Sequence, residues 1–176
     1  IERDVFPALV GRGLYGFEAE GYWLDIGTPE RYLHGTFDIL EGTVSTEVGA
    51  QLEAAGRALA DGARVEGRLV APVLVGSGSS IAPGAIVGGR VVLGAGVTVG
   101  EGAHIEGTVV LQGASIGAHA KISASIVGPG ARVGEHCHID GGVVLGEGVV
   151  LGEGNILTAG ARVFPGVQLP AGAIRF

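Results

Sequence analysis

Across its 176 residues the chain has no methionine, a single cysteine and no aromatic side chain between Asp38 and Val163. A chain that lacks methionine and opens on Ile1 is expected to continue a longer one. The lone Cys137 excludes an internal disulfide and suits the reducing cytosol. Positive charge is scarce as well: 11 Lys and Arg stand against 18 Asp and Glu, for a formal net charge of −7. Residues 1–68 hold six basic and twelve acidic side chains, and residues 69–176 hold five and six. With neither part basic, nucleic acid and anionic membranes are not expected as partners. No apolar run approaches the ~20 residues of a membrane span, and no signal-peptide pattern is present.

What the chain has in quantity is glycine, 35 residues of it, and aliphatic side chains at a fixed interval. Leu69, Val75, Ile81, Val87, Leu93, Val99, Ile105 and Leu111 follow one another six positions apart. The phase resumes at Val127 and runs through Val133, Ile139, Leu145, Leu151, Leu157 and Val163 to Leu169. Four places after most of these the residue is small or β-branched, as at Ser79, Ala85, Ala103, Ala131 and Cys137. Such a period fits neither a helix nor an alternating strand; it is the hexapeptide signature of a parallel β-helix, with about three short strands to a coil. Coils stack at about 4.8 Å. The aliphatic column therefore points inward, and the small residues fill the narrow triangular section. Corners such as Gly94-Ala95-Gly96, Gly128-Pro129-Gly130 and Gly146-Glu147-Gly148 suit turns that need positive φ.

Residues 69–176 are thus expected to form a β-helix of about six coils, with Leu93, Leu111, Leu145 and Leu151 inside. The steps from Leu111 to Ile116 and from Ile122 to Val127 are five residues, read as one residue lost at each corner. A solenoid tolerates this because each coil touches only its neighbours. In Val91-Val92, Val109-Val110 and Val143-Val144 one residue of each pair must face outward. Exposed valines of this kind are expected to serve self-association.

Residues 1–42 have a different character, with seven of the nine aromatics. Thr28 can cap a helix, Pro29 suits its first position, and Glu30 complements the positive end of the dipole. Leu33, Phe37 and Leu40 follow on one face, and Gly42 supplies the stop. Tyr22 to Ile26 predicts a short strand, and Glu2 to Val10 an amphipathic helix interrupted or bent at Pro7. Gly11-Arg12-Gly13-Leu14-Tyr15-Gly16 fits a dinucleotide-binding pattern formally, but it follows a predicted helix rather than a strand and reads as a turn. So short a segment makes a poor core of its own, and it is expected to pack on sequence upstream. Residues 43–68 read as a connector covering the first coil: Val44 to Gly62 lacks the six-residue phase, and Gln51-Leu52-Glu53-Ala54-Ala55 is helical in composition.

Here the residues carry a resemblance. Glu2-Arg3-Asp4-Val5-Phe6-Pro7, Leu14-Tyr15-Gly16 and the run from Gly21-Tyr22-Trp23-Leu24-Asp25-Ile26 through Gly27-Thr28-Pro29-Glu30-Arg31-Tyr32-Leu33 resemble the end of the catalytic domain of sugar nucleotidyltransferases. These enzymes make nucleotide sugars from a sugar 1-phosphate and a nucleoside triphosphate. The tail from Ala161-Arg162-Val163-Phe164-Pro165-Gly166-Val167 to Leu169-Pro170-Ala171-Gly172-Ala173-Ile174-Arg175-Phe176 is most similar to bacterial mannose-1-phosphate guanylyltransferases.

The resemblance implies an all-β, left-handed parallel β-helix preceded by the small α/β end of a nucleotidyltransferase domain. The hand comes from the family, since parallel crossovers are otherwise right-handed in about 98% of cases. It also implies an upstream doubly wound domain with a glycine-rich loop, and Mg²⁺ as cofactor. Asp25 matches the second of two metal-holding aspartates, and Trp23 a substrate-binding position that can line the sugar pocket. GTP and mannose 1-phosphate are the implied substrates, and a cytoplasmic homo-oligomer joined through the β-helix the implied assembly. A glucose-1-phosphate nucleotidyltransferase of another base and an inactive scaffold are the alternatives. The first aspartate, the glycine-rich loop and its Arg and Lys are not in this chain. On its own it is expected to be inactive, with no catalytic residue.

A hexapeptide acyltransferase is the remaining reading, and it leaves residues 1–42 unexplained. His104, His119, His136 and His138 fall at corner or outward positions and read as solvated surface. In His136-Cys137-His138 the cysteine points inward and its neighbours do not, which disfavours a shared metal.

Overall fold

Each hexapeptide folds into a strand of two or three residues and a tight turn, and strands of successive coils pair in parallel. The computed structural model describes residues 1–175. Three sheets form the walls. The first stacks seven strands from Arg57–Leu59 to Arg162–Val163, the second seven from Arg64–Val65 to Gln168–Leu169, and the third six from Arg68–Val70 to Ile156–Leu157.

The interior follows the sequence phase. Ile81, Leu93, Ile105, Ile122, Ile139, Leu145, Leu151 and Leu157 are closed to solvent, and Ala85, Ala103, Ala120 and Ala131 fill the corners between them. Burying one such aliphatic is worth roughly 1.5–3 kcal/mol, which is what offsets the ordering of so many turn residues. Cys137 is an inward corner residue as expected. Its thiol donates to the Gly152 carbonyl at 3.2 Å, and burial pushes its pKa up.

One aliphatic is misplaced by the simple phase. Val110, not Leu111, takes the inward position: it pairs with Leu93 and Val127 and is fully buried, while Leu111 is half-buried outside. The first lost residue therefore lies between Ile105 and Val110, one corner before the expected place. Both losses fall on the same corner of the prism, where Glu106-Gly107-Thr108 stacks on Ser123-Ala124-Ser125. The Thr108 hydroxyl donates to the Glu106 carbonyl and the Ser125 hydroxyl to the Ser123 carbonyl, both at 2.7 Å. A buried hydroxyl thus closes each shortened turn. Three aliphatics in a row, Val109-Val110-Leu111, left the phase open to either choice.

The coils also begin earlier than residue 69. Arg57–Leu59 pairs with Val73–Val75, and Arg64–Val65 with Ser80–Ile81, each 16 residues on, where later coils repeat at 17 or 18. The missing residues fall between Val65 and Leu69, which hides this coil from a six-residue count.

Helix α1 spans only Val5–Leu9 and buries nothing. Pro7 sits within its first turn, where backbone N–H groups lack helical partners anyway. Gly11 and Gly13 follow at φ 76° and 91°, the expected turn. Helix α2, Pro29–Leu40, starts as predicted: the Thr28 hydroxyl accepts from the Arg31 amide at 3.3 Å, and Gly42 at φ 79° lies beyond the end. Helix α3, Glu47–Ala55, is capped by Thr46 and stopped by Gly56 in the left-handed region.

Both longer helices lie on the outer face of the first sheet. Leu33 packs with Val109 and Ile126; Leu40 and Leu52 pack with Ala58 and Leu74. The outward residues of the valine pairs are Val92, Val109 and Val144, and the chain's own helix meets them. They are therefore not the free contact face expected. The strand predicted over Tyr22–Ile26 does not form either, because no strand lies beside it to pair with. Leu24 and Ile26 instead approach α2 at Gly35.

The last coil is held by a buried amide. Asn155 Nδ2 donates to the Gly152 and Pro170 carbonyls at 2.8 and 2.9 Å, and Oδ1 accepts from the Ile174 amide at 2.8 Å. Asn155→Ala removes three hydrogen bonds and leaves the Ile174 amide without a partner, while the Gly152 and Pro170 carbonyls keep the Cys137 thiol and the Ala173 amide; it is expected to cost about 2 kcal/mol. Hydrogen exchange should show the Ile174 end opening first; protection equal to the parent protein would refute this role.

Candidate functional site

The Trp23-x-Asp25 stretch takes its local geometry from α2. Asp25 is gripped from two sides: Oδ1 accepts from the Gly27 amide and Oδ2 from Arg31 Nη1, both at 3.0 Å. The two side chains are 55% and 56% exposed, so the pair adds little stability, on the order of 0–1 kcal/mol. Its effect is on orientation. Each carboxylate oxygen still has a lone pair to offer.

Glu30, in the first turn of α2, has its carboxylate held below the usual range, first by its own backbone N–H, then by the Thr28 hydroxyl, with Arg162 adding to it. Arg162 Nη2 reaches Glu30 Oε1 at 2.6 Å across 132 residues of sequence. At the other end of α2 the Arg90 guanidinium lies 4.8 Å above the Phe37 ring, with Nε 3.8 Å from Glu41.

Trp23 is 83% exposed. Its neighbours Tyr22, Leu24 and Ile26, with Tyr32, Ile39 and Val44, line an apolar cleft of about 200 Å³ on the outer side of α2. The Tyr22 hydroxyl donates to the Asp38 carboxylate, which raises the phenol's pKa. A larger cavity of about 450 Å³ lies near the far end of α2, against α3 and Ala71-Pro72, away from Asp25.

The histidines take the outward places expected. His104 and His138 flank Lys121 on the third sheet, and the His119 and His136 rings stack at a corner, 5.2 Å apart. Among the described residues no group of three or more His, Cys, Asp or Glu converges as a metal centre. None of the described helices is long and apolar enough to cross a membrane.

The structure thus joins Asp25 to Arg31 and leaves Trp23 in solvent. Sequence reasoning did not single out Arg31, Arg90 or Arg162. Arg162 has a sequence signal: it is the one charged residue in an outward column that otherwise reads Leu74, Val92, Val109, Ile126 and Val144.

Residues 69–172 match the family model of the GMPPB C-terminal domain. The chain belongs to that family. This GMPPB-type chain is 40% identical, over 179 residues and 100% of its length, to a mannose-1-phosphate guanylyltransferase of Mycobacterium tuberculosis, of which it covers 45%. It is 29% identical over 126 residues, 71% of the chain and 32% of the relative, to mannose-1-phosphate guanylyltransferase 1 of Arabidopsis thaliana. A stretch of 37 residues, 20% of the chain and 10% of the relative, is 54% identical to the Schizosaccharomyces pombe mannose-1-phosphate guanyltransferase. The chain spans less than half the length of the curated relatives it matches. Among solved structures, a hexapeptide transferase family protein from Anaplasma phagocytophilum superposes with a TM-score of 0.61 at 24% identity, covering 64% of this chain and 72% of that one. A likeness at that identity shows the fold alone: the all-β, left-handed parallel β-helix of hexapeptide proteins.

Proposed function

We propose that this chain is the C-terminal part of a mannose-1-phosphate guanylyltransferase. The observation that carries the reading is the 40% identity running through the whole chain, N-terminal motif included, to a relative of that name. In the intact enzyme a phosphate oxygen of mannose 1-phosphate attacks the α-phosphorus of GTP, and pyrophosphate leaves. Expression of the whole protein, in the cytoplasm, belongs to the same proposal.

Asp25 fits one position of a Mg²⁺ site. It is a hard oxygen donor, half exposed, oriented by Gly27 and Arg31, and Mg²⁺ takes one or two carboxylates alongside substrate phosphates. When bound, the ion neutralises charge that grows on the phosphates in the transition state. Arg31 and the Gly27 amide hold the carboxylate in one orientation. Trp23, exposed beside it, is proposed to meet the sugar, and the apolar cleft at Tyr22, Leu24 and Ile26 to pack against the remaining length found in the relatives.

The β-helix serves assembly. With the first sheet covered by α2 and α3, the second and third sheets are the faces left for a second copy. Sedimentation of the full-length protein as a monomer at micromolar concentration would remove this part. The reaction is tested by pyrophosphate release from the full-length protein with GTP, mannose 1-phosphate and Mg²⁺. Glucose 1-phosphate with other triphosphates serves as comparison. Turnover with a different pair reassigns the substrate, and turnover with none leaves the scaffold reading.

A further inference from the structure

We propose that Arg162 is a positioning residue for Asp25, clamping the start of α2 to the solenoid while Arg90 clamps its end. This rests on the guanylyltransferase reading above.

The contacts form an unbroken line. Asp25 is held by Arg31 at 3.0 Å. Arg31 follows Glu30 in the first turn of α2, and Glu30 is held by Arg162 at 2.6 Å. Arg162 is itself anchored, with Nη1 donating to the Gly160 carbonyl at 2.6 Å and to the Gly142 carbonyl one coil earlier. The guanidinium therefore ties two coils to the helix start through a planar fork that a lysine matches only in part.

Length makes the clamp fit. The 12 residues of α2 span about 18 Å at 1.5 Å per residue. From the strand after Arg90 to the strand of Arg162 there are four coil steps, about 19 Å. The helix thus lies along the coil axis with one arginine at each end. The charges agree with its dipole, since Glu30 sits at the positive end and Arg90 at the negative end. Arg90 also holds a left-handed φ of 71°, which side-chain-bearing residues avoid. Between the clamps, Leu33 seats on Val109 and Ile126 and sets the depth. The coils therefore fix where the Asp25 turn stands, and the β-helix acts on the chemistry through α2.

The test is a double-mutant cycle in the full-length protein with Arg162→Met, Glu30→Gln and the pair together, plus Arg162→Lys. Each single change is expected to lower kcat about 10- to 100-fold, the size of effect a small misplacement produces. KM for mannose 1-phosphate should stay put, and the Mg²⁺ concentration for half-maximal rate should rise. The double variant should fall no further than the singles, because both remove one contact. Arg162→Lys should recover part of the loss. An unchanged kcat and Mg²⁺ requirement, or losses that multiply in the double variant, overturns the proposal. If the parent full-length protein transfers no nucleotidyl group, the guanylyltransferase reading fails separately. Hydrogen exchange of the α2 amides in the same protein then decides. Faster exchange in both singles, not increased further in the double, upholds the clamp; unchanged exchange removes it.

Discussion

Asp25→Asn in the full-length protein is expected to lower nucleotidyl transfer by about three orders of magnitude while leaving the solenoid's melting unchanged. The substitution keeps the shape of the side chain and removes the charge. Preorganised charge facing a developing transition-state charge is worth about 10²–10³ in rate for a single group, and a metal ligand belongs at the upper end. Folding is insulated because the Asp25 side chain is 55% exposed. Its partners are the Gly27 amide and the half-exposed Arg31, a pair worth at most about 1 kcal/mol. Steady-state kinetics against Mg²⁺ and a thermal scan read the two halves. Full activity in the variant would show that the motif misassigns Asp25, and a lowered midpoint would make it a structural acid instead.

Gly134→Ala should destabilise the β-helix by about 3 kcal/mol or more, whereas Gly148→Asn should cost under about 1 kcal/mol. The two glycines do different jobs. A Cβ on Gly134 would stand 2.7 Å from the Glu153 nitrogen and the Gly152 carbon of the next coil, and backbone cannot step aside without opening the stack. Gly148 has φ 64° and open space around a built Cβ, so its requirement is conformational only, and asparagine tolerates that region. Thermal melts of both variants compare them directly; equal losses would mean that coil contact is not what excludes a side chain at Gly134. The last coil supports the distinction. Phe164 follows Val163 as Gly146 follows its register partner Leu145, and it is 77% exposed, with no later strand stacked below it among the described residues.

Around the motif, the Thr28 cap was legible in the sequence, whereas the arginines that hold Asp25 and Glu30 were not. The Thr28 hydroxyl meets an amide three residues on, so short-range pattern suffices for the cap, while the ion pair of Asp25 with Arg31 depends on how the turn folds back on α2. Arg162 holds Glu30 from 132 positions away, and only a break in an aliphatic column marks it in the sequence.

Local rules alone determined the six-residue phase, the inward aliphatics with their small partners, and the caps of α2 and α3. The phase depends on backbone geometry and on neighbours at offsets that recur from coil to coil outside the shortened corners, and each cap on residues three or four positions away. Tertiary structure decided the rest. Val110 rather than Leu111 turns inward because a buried hydroxyl at Thr108 shortens that corner. The first coil starts at Arg57 because its strand finds Val73–Val75. The outward valines are covered because α2 is as long as four coils are tall and carries Leu33 and Leu40 on the face that meets them. Which wall a helix lies against depends on complementarity between surfaces distant in the chain, and no local period records it.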